Sequence, residues 1–193
     1  MIAASTTRRR KMDGQSQAEE KIAQCKALKL PYLNLSRLNL ETIPTSLSQL
    51  VWLEALSLSH NKLNNIDALI PLSNLHKLAF SHNEISNIEV LKSYPKLKYI
   101  FMKHNHITNL DVLNQLPKLK KIEAHHNHIK NIESLSSLPK LVFLDLAYND
   151  IEEIKALKHI QTLVWLSLEE NPVNKEALRQ IPESLKHLAR YIS

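Results

Sequence analysis

Four histidines, His60, His82, His104 and His126, recur at intervals of 22 residues, and His106, His125 and His128 stand beside the last two of them. Imidazole is an ordinary zinc ligand, so the His104-Asn105-His106 and His126-Asn127-His128 segments could offer three or four nitrogens to one ion. A hydrolytic zinc centre would also need an open coordination position and a carboxylate base, for which Glu84 and Glu123 are the candidates. The same rings could serve instead as polar or pH-sensitive contacts to a partner. A residue copied along with its repeat, however, recurs at the repeat spacing with no function at all. The regular interval favours that reading, so the sequence assigns no catalytic residue, no metal ligand and no cofactor.

The elements that hold these histidines follow the same interval. Asn61, Asn83, Asn105, Asn127, Asn149 and Asn171 are each 22 residues apart, within a motif Leu-x-x-Leu-x-Leu-x-x-Asn-x-Ile/Leu-x-x-Ile-x-x-Leu-x-x-Leu. A fixed period of this size means small units stacked on one continuous core. With Leu53 as position 1, Leu56 and Leu58 at positions 4 and 6 alternate with polar residues, which predicts a short strand with one buried face. Stacked strands make a parallel ladder. Leu63, Ile66, Leu69 and Leu72 are spaced by three, which suits a 3₁₀ or extended convex side. The position-9 asparagine is expected to turn the chain, its amide serving backbone groups and its own backbone tolerating unusual angles. A second series, Asn65, Asn87, Asn109 and Asn131, each followed by an aliphatic residue and then an acid, is expected to cap the convex turns.

The ends depart from the period. Residues 1–15 read as a disordered basic tail that contains Arg8, Arg9, Arg10, Lys11 and the single glycine, Gly14. Ser16-Gln17-Ala18-Glu19 reads as a capping box opening an amphipathic helix over 16–29, with Ala18, Ile22, Cys25 and Leu28 on one side, to cover the first open edge of the stack. Repeats, about seven, occupy 30–173. The first is irregular, because Leu38 replaces the asparagine and Leu33 to Leu56 is 23 residues. Over 174–193, Ala177, Leu178, Ile181, Leu185, Leu188 and Ile192 suggest a closing helical cap with a break near Pro182.

Composition removes several function classes. At 193 residues and 44% hydrophobic content the chain is one domain. Half of its net charge of +6 comes from the tail, so the repeats lack the dominant basic stripe of an electrostatic nucleic-acid binder, and the arginine run itself is most simply a solvated tail. One glycine outside any strand-turn-helix context allows no phosphate loop, dinucleotide fingerprint or nucleophile elbow. A lone cysteine, Cys25, with no secretory leader and no apolar run of membrane length, suggests a reducing, cytoplasmic setting and no membrane association.

These six consecutive motif copies resemble the 22-residue subclass of leucine-rich repeat proteins, the class that includes the leucine-rich regulatory subunit of protein phosphatase 1, light chain 1 of axonemal dynein, and the bacterial internalins. The first repeat, with Leu33-Asn34-Leu35-Ser36 and Ile43-Pro44, is more similar to bacterial and Roco-type members. The resemblance implies an α/β solenoid: a horseshoe with a parallel β-sheet on the concave face, a 3₁₀ or extended convex side and helical caps at both ends. It also implies a non-enzymatic module that binds a protein on the concave face.

The register lets that face be written down, since positions 3, 5, 7 and 8 point away from the core. Six of the ten aromatic residues fall there: Tyr32, Tyr99, Phe101, Phe143, Tyr148 and Trp165. Strands favour aromatics, but the buried strand positions 4 and 6 hold only Phe80. Large rings on a water-facing sheet mark an interface. The expected partner-binding residues are Lys77, Tyr99, Phe101, Lys103, Lys121, Glu123, His125, His126, Phe143, Asp145, Tyr148, Trp165 and Glu169. Lysines lie in the middle of the row and acids towards its C-terminal end, which orients a partner of complementary charge. The expected function is a monomeric adaptor, regulator or inhibitor of another protein; a bacterial effector delivered into a host cell would carry the same features. The alternatives are single-stranded RNA binding by Lys98, Lys103, Lys120 and Lys121 beside Tyr99 and Phe101, and a metal-dependent activity at the histidines.

Overall fold

A computed structural model describes residues 12–179. The arginine run Arg8 to Lys11 and the closing-cap residues Ile181 to Ile192 lie outside the described residues. Seven three-residue strands, β1 (Tyr32–Asn34), β2 (Ala55–Ser57), β3 (Lys77–Ala79), β4 (Tyr99–Phe101), β5 (Lys121–Glu123), β6 (Phe143–Asp145) and β7 (Trp165–Ser167), form one parallel sheet in chain order. Leu33, Leu56, Leu78, Ile100, Ile122, Leu144 and Leu166 align across it, so β2 to β7 keep the register that the 22-residue period demands and β1 joins them across a spacing of 23. Six 3₁₀ segments line the opposite side: Thr45–Gln49, Asp67–Leu69, Glu89–Ser93, Asp111–Gln115, Glu133–Ser137 and Lys155–His159. The result is an open, curved solenoid whose apolar positions fill a single core between the strand side and the 3₁₀ side.

Phe80 and Tyr94 are the largest fully buried side chains. Tyr94 occupies position 20, where the other regular repeats carry Leu or Ile, and its hydroxyl meets no hydrogen-bond partner among the described residues. Burial, with the nearby Asp67 charge, raises its pKa well above that of an ordinary phenol.

The asparagine ladder ties each repeat to the one before it. In Asn105, Nδ2 donates to Phe80 O at 3.2 Å and Met102 O at 3.0 Å, and Oδ1 accepts the Ile85 amide at 3.0 Å. Asn83, Asn127, Asn149 and Asn171 make the equivalent bonds. Asn61 serves the irregular first repeat through Leu38 and Leu40. The second series caps as expected: Asn65, Asn87, Asn109 and Asn131 accept the amides of Asp67, Glu89, Asp111 and Glu133.

The turning residue itself is not the asparagine. Left-handed backbone falls one position earlier, on Arg37, His60, His82, His104, His126, Tyr148 and Glu170, with φ between 51° and 61°. Asparagine is needed at position 9 for its side chain, and histidine is among the residues that tolerate the left-handed region better than most. The histidine series therefore has a backbone rationale beyond inheritance of the repeat. In the first repeat Asn39 is also left-handed, at φ 57°, where the 23-residue spacing inserts an additional residue.

The N-terminal helix differs from the sequence expectation in its start. Helix α1 spans Gly14–Leu28, and its N-cap is Asp13, which accepts the Ser16 amide at 2.7 Å. Glu19 does not close a capping box; it accepts a hydrogen bond from the Ser46 hydroxyl on the first convex turn. Asp13 wins because its carboxylate is a stronger acceptor than a serine hydroxyl at a helix N-terminus. Ala18, Ile22 and Cys25 are buried against the first repeat, whereas Leu28 is exposed. Gly14, read as part of the tail, is the first helical residue and packs on Leu38: a Cβ there would lie 1.6 Å from the Leu38 carbonyl oxygen. At the other end a short helix α2 covers Lys175–Arg179.

Candidate functional site

Each strand sends its middle residue into the core and its two outer residues to the concave face, as the burial along β2 to β7 shows. Position 3 therefore lays Lys77, Tyr99, Lys121, Phe143 and Trp165 in one row, and position 5 lays Phe101, Glu123 and Asp145 beside them. Most of the second half of this surface is one chain of contacts. The rings of Phe143 and Trp165 stack with centroids 4.1 Å apart and planes within 2°. Lys121 Nζ lies 3.8 Å from the Phe143 centroid and 5.5 Å from that of Phe101, and it also pairs with Glu123 at 2.8 Å. Lys77 covers Phe101 from the other side at 5.1 Å. Trp165 keeps 39% of its surface exposed and Tyr99 37%, so the row remains open to water.

Position 8 forms a second row along the rim. His60, His82, His104, His126 and Tyr148 stack successively at 4.1, 4.2, 4.1 and 4.3 Å, a ring column crossing five repeats. It arises because every one of these residues has the same left-handed backbone and the repeats rise by one strand spacing. Burial, then the like charges of His104, His60, Lys103 and His125, pulls the His82 pKa down to about 4. Burial also lowers His60, His104 and His125. His125 sits inside the row, its Nδ1 2.8 Å from His126 Nδ1 and its Nε2 4.0 Å from Asp145 Oδ2. Asp145 is pushed up by burial, partly opposed by the Ala147 amide, while burial pushes His125 down, so desolvation works against an ion pair at this 4.0 Å contact. Lys103 and Glu169, at position 7, are half-buried on the same face.

The N-terminal half of the concave face holds a hollow of about 390 Å³. Its floor is made of small residues, Asn34, Ala55, Ser57, Ser59, Ala79 and Ser81, and its walls include Tyr32, Lys77, Phe101 and Lys103. The sequence expectation covered the walls through Lys77, Phe101 and Lys103 but missed the floor as a feature. Its signal was present, in three successive repeats that place only small side chains at positions 5 and 7.

Comparison with known proteins agrees with this geometry. Residues 73–115 and 117–159 match the family described as Leucine Rich repeats (2 copies). The chain is similar to an internalin (inlF) of Listeria monocytogenes, with 29% identity over 77% of this chain and 44% of that one and a TM-score of 0.75. It is also similar to an internalin C2 of the same organism, with 30% identity over 70% and 60% of the two chains and a TM-score of 0.68. A leucine-rich repeat protein of Leptospira interrogans shares the fold, with a TM-score of 0.73 and 23% identity over 80% of this chain and 41% of that one. The chain thus spans between 41% and 60% of the lengths of these structures. Curated proteins give no sequence match. The parallel sheet in 22-residue register, the asparagine ladder that joins its turns and the family match agree: the chain has the leucine-rich repeat fold, and residues 73–115 and 117–159 are leucine-rich repeats.

Proposed function

We propose that the concave face binds a partner protein and that the chain acts without catalysis, as a monomeric adaptor, regulator or inhibitor in a reducing compartment. Solenoids of this kind use their concave surfaces for binding. The observation that carries the reading here is the Phe143–Trp165 stack, left open to water and held flat by Lys121. Paired rings in a rigid setting lose little entropy on burial and are the usual anchors of interfaces. Lys77 and Lys103 beside the hollow, and Asp145 and Glu169 towards the other end, give the face a direction, suited to a partner that presents acidic and then basic surface. Delivery into a host cell belongs to the same proposal.

Single-stranded RNA finds less support. Lys121 is engaged by Glu123 and two rings, and Phe143 and Trp165 already stack on each other, which leaves no gap between them for a base.

The test is capture of a partner by the wild-type chain and by a Phe143→Ala/Trp165→Ala variant. Loss of capture with a nearly unchanged melting temperature is expected. Capture that survives the double substitution would overturn the reading, as would a complex that dissolves steeply with salt in the manner of nucleic acid.

A further inference from the structure

The ring column and the concave row meet at one point, where His125 turns in beside His104 and His126. One nitrogen of each of these three imidazoles lies within 4.8 Å of the other two, the only such cluster of potential metal ligands among the described residues. His125 Nδ1 and His126 Nδ1 approach to 2.8 Å, a separation that requires a shared proton. An ion bound tetrahedrally at about 2.0–2.1 Å from each nitrogen needs them roughly 3.3 Å apart with their lone pairs converging, so replacing that proton by a metal requires His104 and His126, stacked at 4.1 Å, to turn out of their stack towards His125.

We propose that His104, His125 and His126 form a three-imidazole site for one divalent transition-metal ion, zinc in the first instance, with Asp145 orienting His125. This does not depend on the partner-binding proposal. The scaffold is rigid: His104 and His126 are fixed in left-handed backbone, and their amides are bonded to His125 O and Ala147 O at 3.0 Å each. Asp145 Oδ2, 4.0 Å from His125 Nε2, stands where metal-bound imidazoles commonly find a carboxylate on the nitrogen that faces away from the ion. All three donors are imidazole nitrogens, a set that suits zinc, nickel and copper and not calcium or magnesium. Three protein ligands leave a fourth position open, to water or to a side chain of a docked protein. Lys103 flanks the cluster and opposes a cation, while Glu123 and Asp145 on the neighbouring strands offset it. The sequence reading set metal aside because inheritance of the repeat explains the histidine interval, and the segments it weighed as ligands paired His104 with His106 and His126 with His128. In the structure His106 and His128 stack on each other at 6.1 Å, and the residue that completes the cluster is His125.

The test is calorimetric titration of zinc into the full chain, repeated with cobalt and followed by its visible absorption. One saturable equivalent per chain, with a tetrahedral cobalt spectrum, is expected. His125→Gln is the decisive variant, because it leaves every left-handed residue and the stacked column in place. It should weaken zinc by at least about 100-fold, and Asp145→Asn by about tenfold, since outer-shell partners are worth 10–100-fold. His60→Asn and the pair His106→Gln/His128→Gln should bind as the wild type does. Absence of one-equivalent binding overturns the proposal, as does a His125→Gln variant that binds zinc unchanged while its circular dichroism is native.

Discussion

Asn105 accepts the backbone amide of Ile85, 20 residues earlier in the chain, at 3.0 Å, from a side chain that is itself buried. The same amide group donates to Phe80 O and Met102 O. Replacing Asn105 by alanine strands the buried Ile85 amide, at a cost of about 1–3 kcal/mol, while Phe80 O and Met102 O keep their bonds from Asn83 and Asn127. With the two carbonyl bonds from Asn105 also lost, each worth about 0.5–1.5 kcal/mol, a total loss of about 3 kcal/mol is expected. Asn105→Asp should be at least as damaging, because a carboxylate oxygen would face the two carbonyls. The shift of the urea midpoint at constant slope measures both.

His82 has φ 56° and tests the backbone explanation of the histidine series. His82→Asn keeps a residue that accepts the left-handed region and should be tolerated apart from its lost ring contacts with His60 and His104. His82→Val, β-branched, should cost about 1–3 kcal/mol more than the asparagine variant. Equal stabilities of the two in chemical denaturation would mean that the stack, and not the turn, selects histidine.

Acid should weaken the solenoid through the same column. The folded His82 pKa of about 4 lies below the ordinary 6.5, so the unfolded chain takes up the proton first. Its contribution is complete above pH 6.5 and drains as pH falls towards 4; His60, His104 and His125 are shifted in the same direction. Asp145, raised by burial, works the opposite way at lower pH, above its ordinary 3.8. Melting curves recorded with a chelator from pH 7 to 4.5 should fall, and His82→Asn should flatten the fall.

Tyr94 offers a stabilising substitution. Its ring fills the core at 0% exposure while its hydroxyl lacks a partner among the described residues. Tyr94→Phe removes an unsatisfied polar group and leaves the packing intact, and a gain of about 1 kcal/mol is expected. A loss of stability in urea unfolding would show that water or a neighbouring group serves that oxygen.

The regular middle of the protein was readable from periodicity, because each Leu, Ile and Asn there answers to a local rule that recurs every 22 residues. Strand register, convex 3₁₀ segments and the two asparagine series all follow from it. What escaped depends on contacts that the period does not encode. Gly14 looked like tail because its reason for being glycine is the Leu38 carbonyl of another segment. Asp13 lost the N-cap assignment to Ser16 because a capping-box pattern happened to start three residues later. Left-handed backbone was placed on the asparagine because one residue of offset is invisible to hydrophobic spacing. At the candidate site, the outward rows could be named residue by residue. The 2.8 Å meeting of His125 with His126 could not, since it depends on the left-handed backbone of His126 just past β5, which hydrophobic spacing does not reveal.

The asparagine ladder is also directional. Every rung reaches back: Asn83 completes the turn of Leu63, Asn105 that of Ile85, and Asn171 that of Ile151. A chain growing from its N-terminus therefore supplies, with each new repeat, the side chain that closes the repeat already made. The free end of the nascent stack always carries one open turn, ready to receive the next unit, and shortening the protein from the C-terminus should return it to that state one repeat at a time.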